Sequence, residues 1–567
     1  MISPQAGTPD ASPTTQISIL GVAPSQIRSV RLSGAASGAH TGALHRYSAN
    51  RGASFVLTQP LTQGERVTVR VRLAGRPTIA FAFTVAHLAK IPPVINLPAR
   101  QPDKLDHFVS RPDLLPPHIT VLKQGAAGAG DFFITPLPSP IVHPESNNAI
   151  SINPVGPGGP MILDKHGKLV WFQQLPTPLV ATNFRPQSFA GHEVLTWWQG
   201  PVTLSAFGTG EGVIADLSYR TLRTVTAGNG YTTDLHEFVL TPSGDALLTS
   251  YSPVLVHLAG TAPGVLSPLL DSIAQEVDVR TGLVVWEWHS FGHIPLADSY
   301  ATPANSADYD AYHLNSLQLL PGNRLLVSAR DTSAVYLVDR AGGRILWKLG
   351  GKASSFRLRR GARFYFQHDA QMLGPDKVSL FDDEAGPPFE GPASRALFLK
   401  LDLRHRSAAV LRSYRRPGNH TLAQSEGSVQ QLPGGNVFVG FGSTQFFSEF
   451  SATGKLLFDA RLPVDDGSYR EFRVPWSATP TTRPAAAARR ISPTRVSVYA
   501  SWNGATTVAR WQVLAGPNPS APKPTTSVNR SGFETRIDLS SSAGSFAVRA
   551  LSPTGRVLAT SKAVQPS

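Results

Sequence analysis

Val335-Tyr336-Leu337-Val338-Asp339, then Arg340-Ala341-Gly342-Gly343, then Arg344-Ile345-Leu346-Trp347-Lys348, reads as strand, glycine turn, strand. The turn and second strand, written Gly-x-apolar-apolar-aromatic, return as Gly167-Lys168-Leu169-Val170-Trp171, Gly282-Leu283-Val284-Val285-Trp286 and Gly454-Lys455-Leu456-Leu457-Phe458. Successive glycines lie 115, 61 and 111 residues apart, so each long gap is close to two short ones and predicts a degenerate copy inside it. Aligning the Asp before each turn finds both copies: Asp164, Asp216, Asp278, Asp339 and Asp402, with Phe450 at the matching position of the last unit. The spacings are 52, 62, 61, 63 and 48. Units of that length hold about four short strands each, and six of them predict a six-bladed β-propeller, in which radial closure leaves few exposed strand edges. A β-helix needs shorter repeats, and an α-solenoid needs a 3.6-residue period that is absent.

Working outward, 16–90 carries short β-type runs such as Val67-Thr68-Val69-Arg70-Val71-Arg72-Leu73 between Gly, Pro and Ser turns, and is expected to form a small β-sandwich. Residues 91–145 are dense in Pro, which opposes strands and helices alike, and read as a linker with a lead-in strand. The propeller is expected over 146–480. Alternating segments resume after a Thr/Pro/Ala-rich stretch, Arg510-Trp511-Gln512-Val513 among them, so 490–567 is read as a second sandwich-like module. The expected fold is all-β, a six-bladed β-propeller with small Ig-like sandwich modules at both termini.

At 567 residues and 41% hydrophobic content the chain is long and apolar enough for several cores. No run approaches the roughly 18 apolar residues of a spanning helix, and Met1-Ile2-Ser3-Pro4 lacks a basic segment followed by an apolar one, so no membrane span and no visible signal peptide are expected. The net charge of +14 favours anionic partners without naming one. The absence of Cys excludes disulfides, thiolate nucleophiles and iron–sulfur clusters. The Gly-Lys pairs at 167–168, 351–352 and 454–455 are followed by Leu, Ala and Leu, so there is no phosphate-binding Gly-Lys-[Ser/Thr] loop, and no dinucleotide fingerprint is present.

Three units carry a His just before a strand pattern: Leu235-His236-Glu237-Phe238, Tyr312-His313-Leu314-Asn315-Ser316 and Gln367-His368-Asp369-Ala370, with Ser425-Glu426-Gly427-Ser428 in the corresponding place of the next. If these places are equivalent, rotation about the propeller axis brings three imidazoles to one funnel. Alternatively the three merely hydrogen-bond between neighbouring units. A zinc site is a third reading, but no His-x-His or His-Glu-x-x-His spacing supports it and the cation of Arg330 stands nearby, so no metal is expected. Arg330, in Ser328-Ala329-Arg330-Asp331, offers an oxyanion a fixed fork of donors; the competing reading is a salt bridge to Asp331 or another unit.

At these residues the chain closely resembles the arylsulfotransferase family, the bacterial and fungal sulfotransferases that use no nucleotide donor. The matching segments include Ser110-Arg111-Pro112-Asp113-Leu114, Asp234-Leu235-His236-Glu237-Phe238, His313-Leu314-Asn315-Ser316, Ser328-Ala329-Arg330-Asp331, Phe366-Gln367-His368-Asp369-Ala370 and Ser501-Trp502-Asn503-Gly504-Ala505-Thr506. The resemblance covers roughly 105–515 and implies the same six-bladed propeller. It implies that His368 is the transiently sulfated histidine, that His236 and His313 support it, that Arg330 binds sulfate and that Asn315 is a neighbouring donor. Phe381-Asp382-Asp383-Glu384 departs from the family pattern by carrying Asp where Asn is expected, and no Cys replaces the disulfide of the bacterial enzymes. These features lean toward the less characterised branch of the family.

The implied chemistry is ping-pong transfer. Neutral His368 attacks the sulfur of an aryl sulfate donor, a phenolate leaves with a proton from His236 or His313, and a phenolic acceptor reverses the steps. No cofactor, metal or nucleic acid is called for, the oligomeric state is left open, and family habit implies an extracytoplasmic or secreted protein. An aryl sulfate hydrolase, or a non-catalytic propeller binding glycans or protein partners, are the alternatives.

Overall fold

The computed structural model describes residues 1–95, 104–138, 140–143, 149–152, 158–258, 264–303, 308–386, 389–418, 421–520 and 522–567; the boundary expected at 145/146 lies outside them. The described residues are all-β: strands in mainly antiparallel sheets, with Tyr309–Asp310 and Arg357–Leu358 adding short parallel pairs, two short 3-10 turns (Pro24–Gln26 and Leu296–Asp298) and no α-helix. No helix among them is long and apolar enough to cross a membrane.

Six sheets follow one another along the chain. The second runs Val180–Phe189, His192–Gly200, Glu211–Ala215, Thr221–Val225, and the third Phe238–Leu240, Asp245–Val256, Ser267–Asp278, Val284–His289. The fourth runs Leu314–Leu320, Arg324–Ala329, Ala334–Asp339, Ile345–Gly350, and the fifth His368–Met372, Lys377–Asp382, Arg395–Asp402, Ser407–Tyr414. The sixth, from Ser428–Gln431 to Leu456–Arg461, takes Thr120–Gln124 as its outer strand. The first is assembled from both sides of the chain, with Asp131–Ile134 between Met161–Leu163 and Phe472–Val474. Two strands of the Pro-rich stretch are thereby built into the first and sixth sheets.

The repeated turn has one physical basis in every sheet. Its Asp accepts backbone N–H groups, as Asp164 Oδ1 does from His166 and Lys168, and the following glycine takes a positive φ (Gly167 +77°, Gly282 +72°, Gly343 +70°, Gly454 +91°). In the two degenerate copies Tyr219 and Arg406 hold that positive φ without being glycine, which is why the sequence pattern fades there. In the last copy Ser451, not Phe450, occupies the Asp position, its Oγ accepting the Lys455 amide at 3.0 Å. The register of the two strands joined by this turn shifts directly before it in five sheets, at Ile162/Leu163, Ile214/Ala215, Glu276/Val277, Leu337/Val338 and Glu449/Phe450, and two residues earlier in the fifth, at Phe398/Leu399.

Each sheet packs on the next. Phe184 and Trp197 meet Trp171, Phe238 and Leu248 meet Ile214, Leu317 meets Trp286, Leu380 meets Leu337, and Val439 meets Phe398. Phe132 of the first sheet closes the series against Phe438, Phe447 and Phe458 of the sixth. Removing one such buried aromatic to Ala costs about 3–5 kcal/mol.

At the N-terminus two four-stranded sheets share a core, Ile17, Ile19 and Phe55 facing Val67, Val69 and Val71, with the in–out alternation of Arg66–Leu73 marking the buried face. This unit is tied to the third sheet by Ser18 Oγ and Tyr47 OH, which both donate to Val284 O, and by the Arg51–Asp245 ion pair. At the C-terminus sheets of three and four strands enclose Val498, Trp511, Val513 and Phe546. Asn503 caps the free edge of the first sheet by accepting from and donating to the Phe172 backbone at 3.0 and 2.9 Å. A Cβ on Gly504 would meet the Tyr219 ring at 2.2 Å, so the Asn-Gly pair read in the sequence is a docking element.

Candidate active site

The first strands of the sheets converge, and the bonds between them set a common frame. Asn183 Nδ2 donates to Leu235 O and, one pair of sheets further, Asn315 Nδ2 donates to Gln367 O. One position later, Glu237 Oε2 accepts the Leu317 amide, Ser316 Oγ that of Ala370, and Asp369 Oδ2 that of Val429. In this frame His236, Asn315 and His368 are equivalent, and His313 stands two residues before its equivalent position. The three histidines therefore do not share one slot. His313 reaches the same space because its φ is +55° and the strand bulges at Leu314/Ser316. A similar shift re-aims His368 between His368 and Gln371.

His236, His313 and His368 do meet, lining a cavity of about 150 Å³ together with Glu426, Tyr469 and the apolar walls Leu137, Val180, Val202, Leu204 and Leu235. The His236 and His313 rings lie edge to face, 4.7 Å between centroids. Each imidazole is backed by a carboxylate on Nδ1: Asp234 at 2.7 Å from His236, Asp310 at 2.5 Å from His313 and Asp383 at 2.8 Å from His368. These three Asp were not singled out as partners from the sequence, although Asp234 and Asp310 stand two and three residues before their His. Asp383 belongs to the departing Asp382-Asp383-Glu384 segment, and only the tertiary fold brings it to His368.

Electrostatics keep two of the imidazoles neutral. Burial, then the charge of Arg330, holds His368 well below the ordinary imidazole range. Burial also takes His313 down to about 3, helped by His236 and Arg330. Burial pushes Asp310 up to about 7 against the pull of Arg330. Glu426 is partly exposed, but its Oε2 is buried without a hydrogen-bond partner among the described residues, and burial raises its carboxyl to about 8. Glu426 is a site residue the sequence reading noted only by position.

Arg330 and Asn315 do not line the cavity. Arg330 makes the salt bridge to Asp331 that was the competing reading, at 2.9 Å, and lies over the Phe366 ring, leaving its buried Nε–H without a partner among the described residues. Asn315 is fully buried; its amide braces the next sheet and its backbone oxygen accepts from Tyr469 OH and Arg470. Below the cavity floor Arg470 bonds both Glu237 oxygens at 3.0 Å and Asn183 Oδ1 at 3.0 Å, tying the converging strands together. Asp310, His313 and Asp331 are close enough to share a cation, but the Arg330 guanidinium on Asp331 opposes one.

Residues 185–462 match the family model for arylsulfotransferase (ASST), a span that holds the three histidines, their carboxylates, Asn315, Arg330 and Glu426. This part of the chain belongs to the arylsulfotransferase family. The arylsulfotransferase domain places the chain with sulfotransferases in general, while Tyr469 and Arg470 lie just beyond the matched span. No curated protein matches the chain. Among solved structures, a protein of unknown function from Bacteroides caccae is 12% identical with a TM-score of 0.36, covering 61% of this chain and 99% of its own. The periplasmic gluconolactonase of Pseudomonas aeruginosa is 11% identical with a TM-score of 0.29, covering 77% and 97%. Likenesses this weak carry no argument about the arylsulfotransferase domain.

Proposed function

We propose that the chain is an aryl sulfotransferase that moves a sulfuryl group from an aryl sulfate donor to a phenolic acceptor by a ping-pong route through a sulfohistidine at His368. The observation that carries this reading is the Asp383–His368 pair: Nδ1 faces the carboxylate while Nε2 accepts the Glu426 backbone N–H at 3.2 Å. An Nε2 that accepts a hydrogen bond carries its lone pair, so the proton sits on Nδ1; the same lone pair attacks sulfur once the Glu426 N–H gives it up to the entering donor.

In the first half-reaction the Nε2–S bond forms and the S–O(aryl) bond breaks, its electron pair passing to the phenolic oxygen. That oxygen, with a conjugate acid near 10, needs a proton. His313, neutral with its N–H turned to Asp310, is poorly placed to supply it; we assign the role to Glu426, whose carboxyl keeps its proton to about pH 8. His236 and His313 flank the reacting group. Arg330, outside the cavity lining, acts through its charge, which adds to burial in keeping His368 unprotonated. In the second half-reaction the Glu426 carboxylate takes the acceptor phenol's proton as that oxygen attacks the sulfohistidine. An aliphatic-lined cavity of this volume accepts a benzene-sized ring, and its dry walls favour a phenol over water as acceptor.

The six mutually packed sheets are read as the blades of a six-bladed β-propeller spanning 146–480, closed where Phe472–Val474 pairs with Asp131–Ile134. The units at 16–90 and 490–567 are read as Ig-like sandwiches, with 91–145 leading from the first of them into the propeller and lending it the strands Thr120–Gln124 and Asp131–Ile134, and an extracytoplasmic location follows from the family reading. The test is intact-mass analysis with 4-nitrophenyl sulfate. A gain of one sulfonyl group, about 80 Da by composition, that requires His368 and disappears on adding phenol supports covalent transfer. An unmodified wild type that releases no nitrophenol from several aryl sulfates overturns it.

A further inference from the structure

We propose a second, non-catalytic site: a divalent transition-metal site, of the Zn²⁺ or Mn²⁺ type, formed by Asp10, Asp271 and His289 where the N-terminal unit meets the third sheet. The three side chains are buried, and their ligand atoms lie within 4.8 Å of one another. His289 Nδ1 stands 3.1 Å from Asp10 Oδ1 and 2.9 Å from Asp271 Oδ2. Two donors at right angles on a metal about 2.1 Å away are about 3.0 Å apart, against about 3.4 Å at the tetrahedral angle, so the separations are those of one corner of an octahedral shell, which suits Mn²⁺ better than four-coordinate Zn²⁺. One carboxylate-and-imidazole set suits transition metals better than Ca²⁺ or Mg²⁺, which take oxygen ligands.

Three further observations point to a cation. Both Asp10 oxygens lack a hydrogen-bond partner among the described residues, as does the hydroxyl of the fully buried Tyr312, whose leading electrostatic neighbours are Asp271 and Asp10. Three carboxyl side chains, Asp10, Asp271 and the buried Glu287, gather at His289, with His293 bonded to the His289 backbone oxygen and Tyr231 against its ring; Thr15, Asn229 and Gln275, all bonded to Glu287, bring no charge. One outer contact has the form that orients a metal ligand: the Phe291 amide donates to Asp271 Oδ1 at 2.8 Å. Because Asp10 comes from the N-terminal unit and the other two from the third sheet, the ion would clamp the two together.

The experiment is elemental analysis of the full chain after incubation with Zn²⁺, Mn²⁺ or Ca²⁺ and exhaustive desalting, beside Asp10→Asn. The expected result is about one Zn²⁺ or Mn²⁺ per chain, lost in Asp10→Asn, with a lower Tm for wild type after chelation. Retention of no metal from any salt, retention of Ca²⁺ alone, or equal retention by wild type and variant overturns the site. If Asp10→Asn does not fold, Asp271→Asn and calorimetric zinc titration of the chelated wild type decide in the same way. Aryl sulfate turnover is not a readout here, so failure of this site and failure of the sulfotransferase reading are separate results.

Discussion

His368 Nε2 is held by the backbone N–H of Glu426 at 3.2 Å, across the gap between the fifth and sixth sheets. One residue thus presents two groups to the cavity: an amide that fixes the tautomer of His368 and a carboxyl raised to about 8. The nucleophile and the proton source are positioned by the same turn, where Glu426 itself has a φ of +71°.

Glu426→Gln is expected to slow transfer from donors with high-pKa phenols by about 10²–10⁴-fold, and to slow 4-nitrophenyl sulfate much less, because a stable phenolate needs no acid. In the wild type the same reaction should fall as pH rises through about 8. Equal loss with both donors in steady-state assays would remove Glu426 from acid catalysis.

Glu426 also sets a sign for stability against pH. Its carboxyl titrates at about 8 in the folded chain against a reference of 4.5, so the folded state binds the extra proton between those values and stability declines as pH rises across them. Glu426→Gln should therefore match wild type below pH 4.5 and exceed it above pH 8 in denaturant titrations. A constant difference across this range would contradict the shift.

Arg330→Met removes the charge that, after burial, keeps His368 and His313 unprotonated. With that charge gone, the acid limb of the pH–rate profile for sulfohistidine formation should move to higher pH. An unmoved acid limb would mean that Arg330 does not act on His368.

Asn315→Ala distinguishes a brace from a substrate donor. It leaves the buried Gln367 carbonyl without its 2.7 Å partner, so a loss of about 1–3 kcal/mol in unfolding free energy is expected. KM for donor and acceptor should hold. A raised KM with unchanged stability would restore the substrate-binding role implied by resemblance.

Gly208→Ala tests the wall behind His236. A Cβ there would lie 2.4 Å from the Trp198 ring and 2.9 Å from the Leu235 amide nitrogen. Trp198 is fully buried and its Nε1 donates to Thr233 O, so the ring cannot yield freely. Overpacking should cost about 1–3 kcal/mol and lower activity by displacing His236; a neutral thermal shift would show that the wall can relax.

The repeat was legible because its turn is local chemistry: an Asp, a positive-φ glycine and an aromatic strand recur within one short stretch, and all six sheets build on it. The same locality explains the two weak copies, where Tyr219 and Arg406 accept a conformation that glycine takes freely, and the last copy, where Ser451 replaces Asp. The identity of the three cavity histidines was legible from recurrence and resemblance. Their equivalence was not, since His313 enters from a bulge whose extra residue is invisible to spacing.

What the sequence alone determined is what depends on neighbours along the chain: all-β character, the period and number of the repeated units, and the three imidazoles near the starts of inner strands. What only the tertiary structure decided depends on groups far apart in the chain. Asp383 stands behind His368 from 15 residues away, Glu426 faces it from 58, and Asn315 bonds the Gln367 carbonyl from 52. Protonation belongs to this second class, because burial, joined at His368 by the charge of Arg330, favours the neutral forms of His368 and Glu426, while the distant contacts of Asp383 and the Glu426 amide set which His368 nitrogen carries the lone pair.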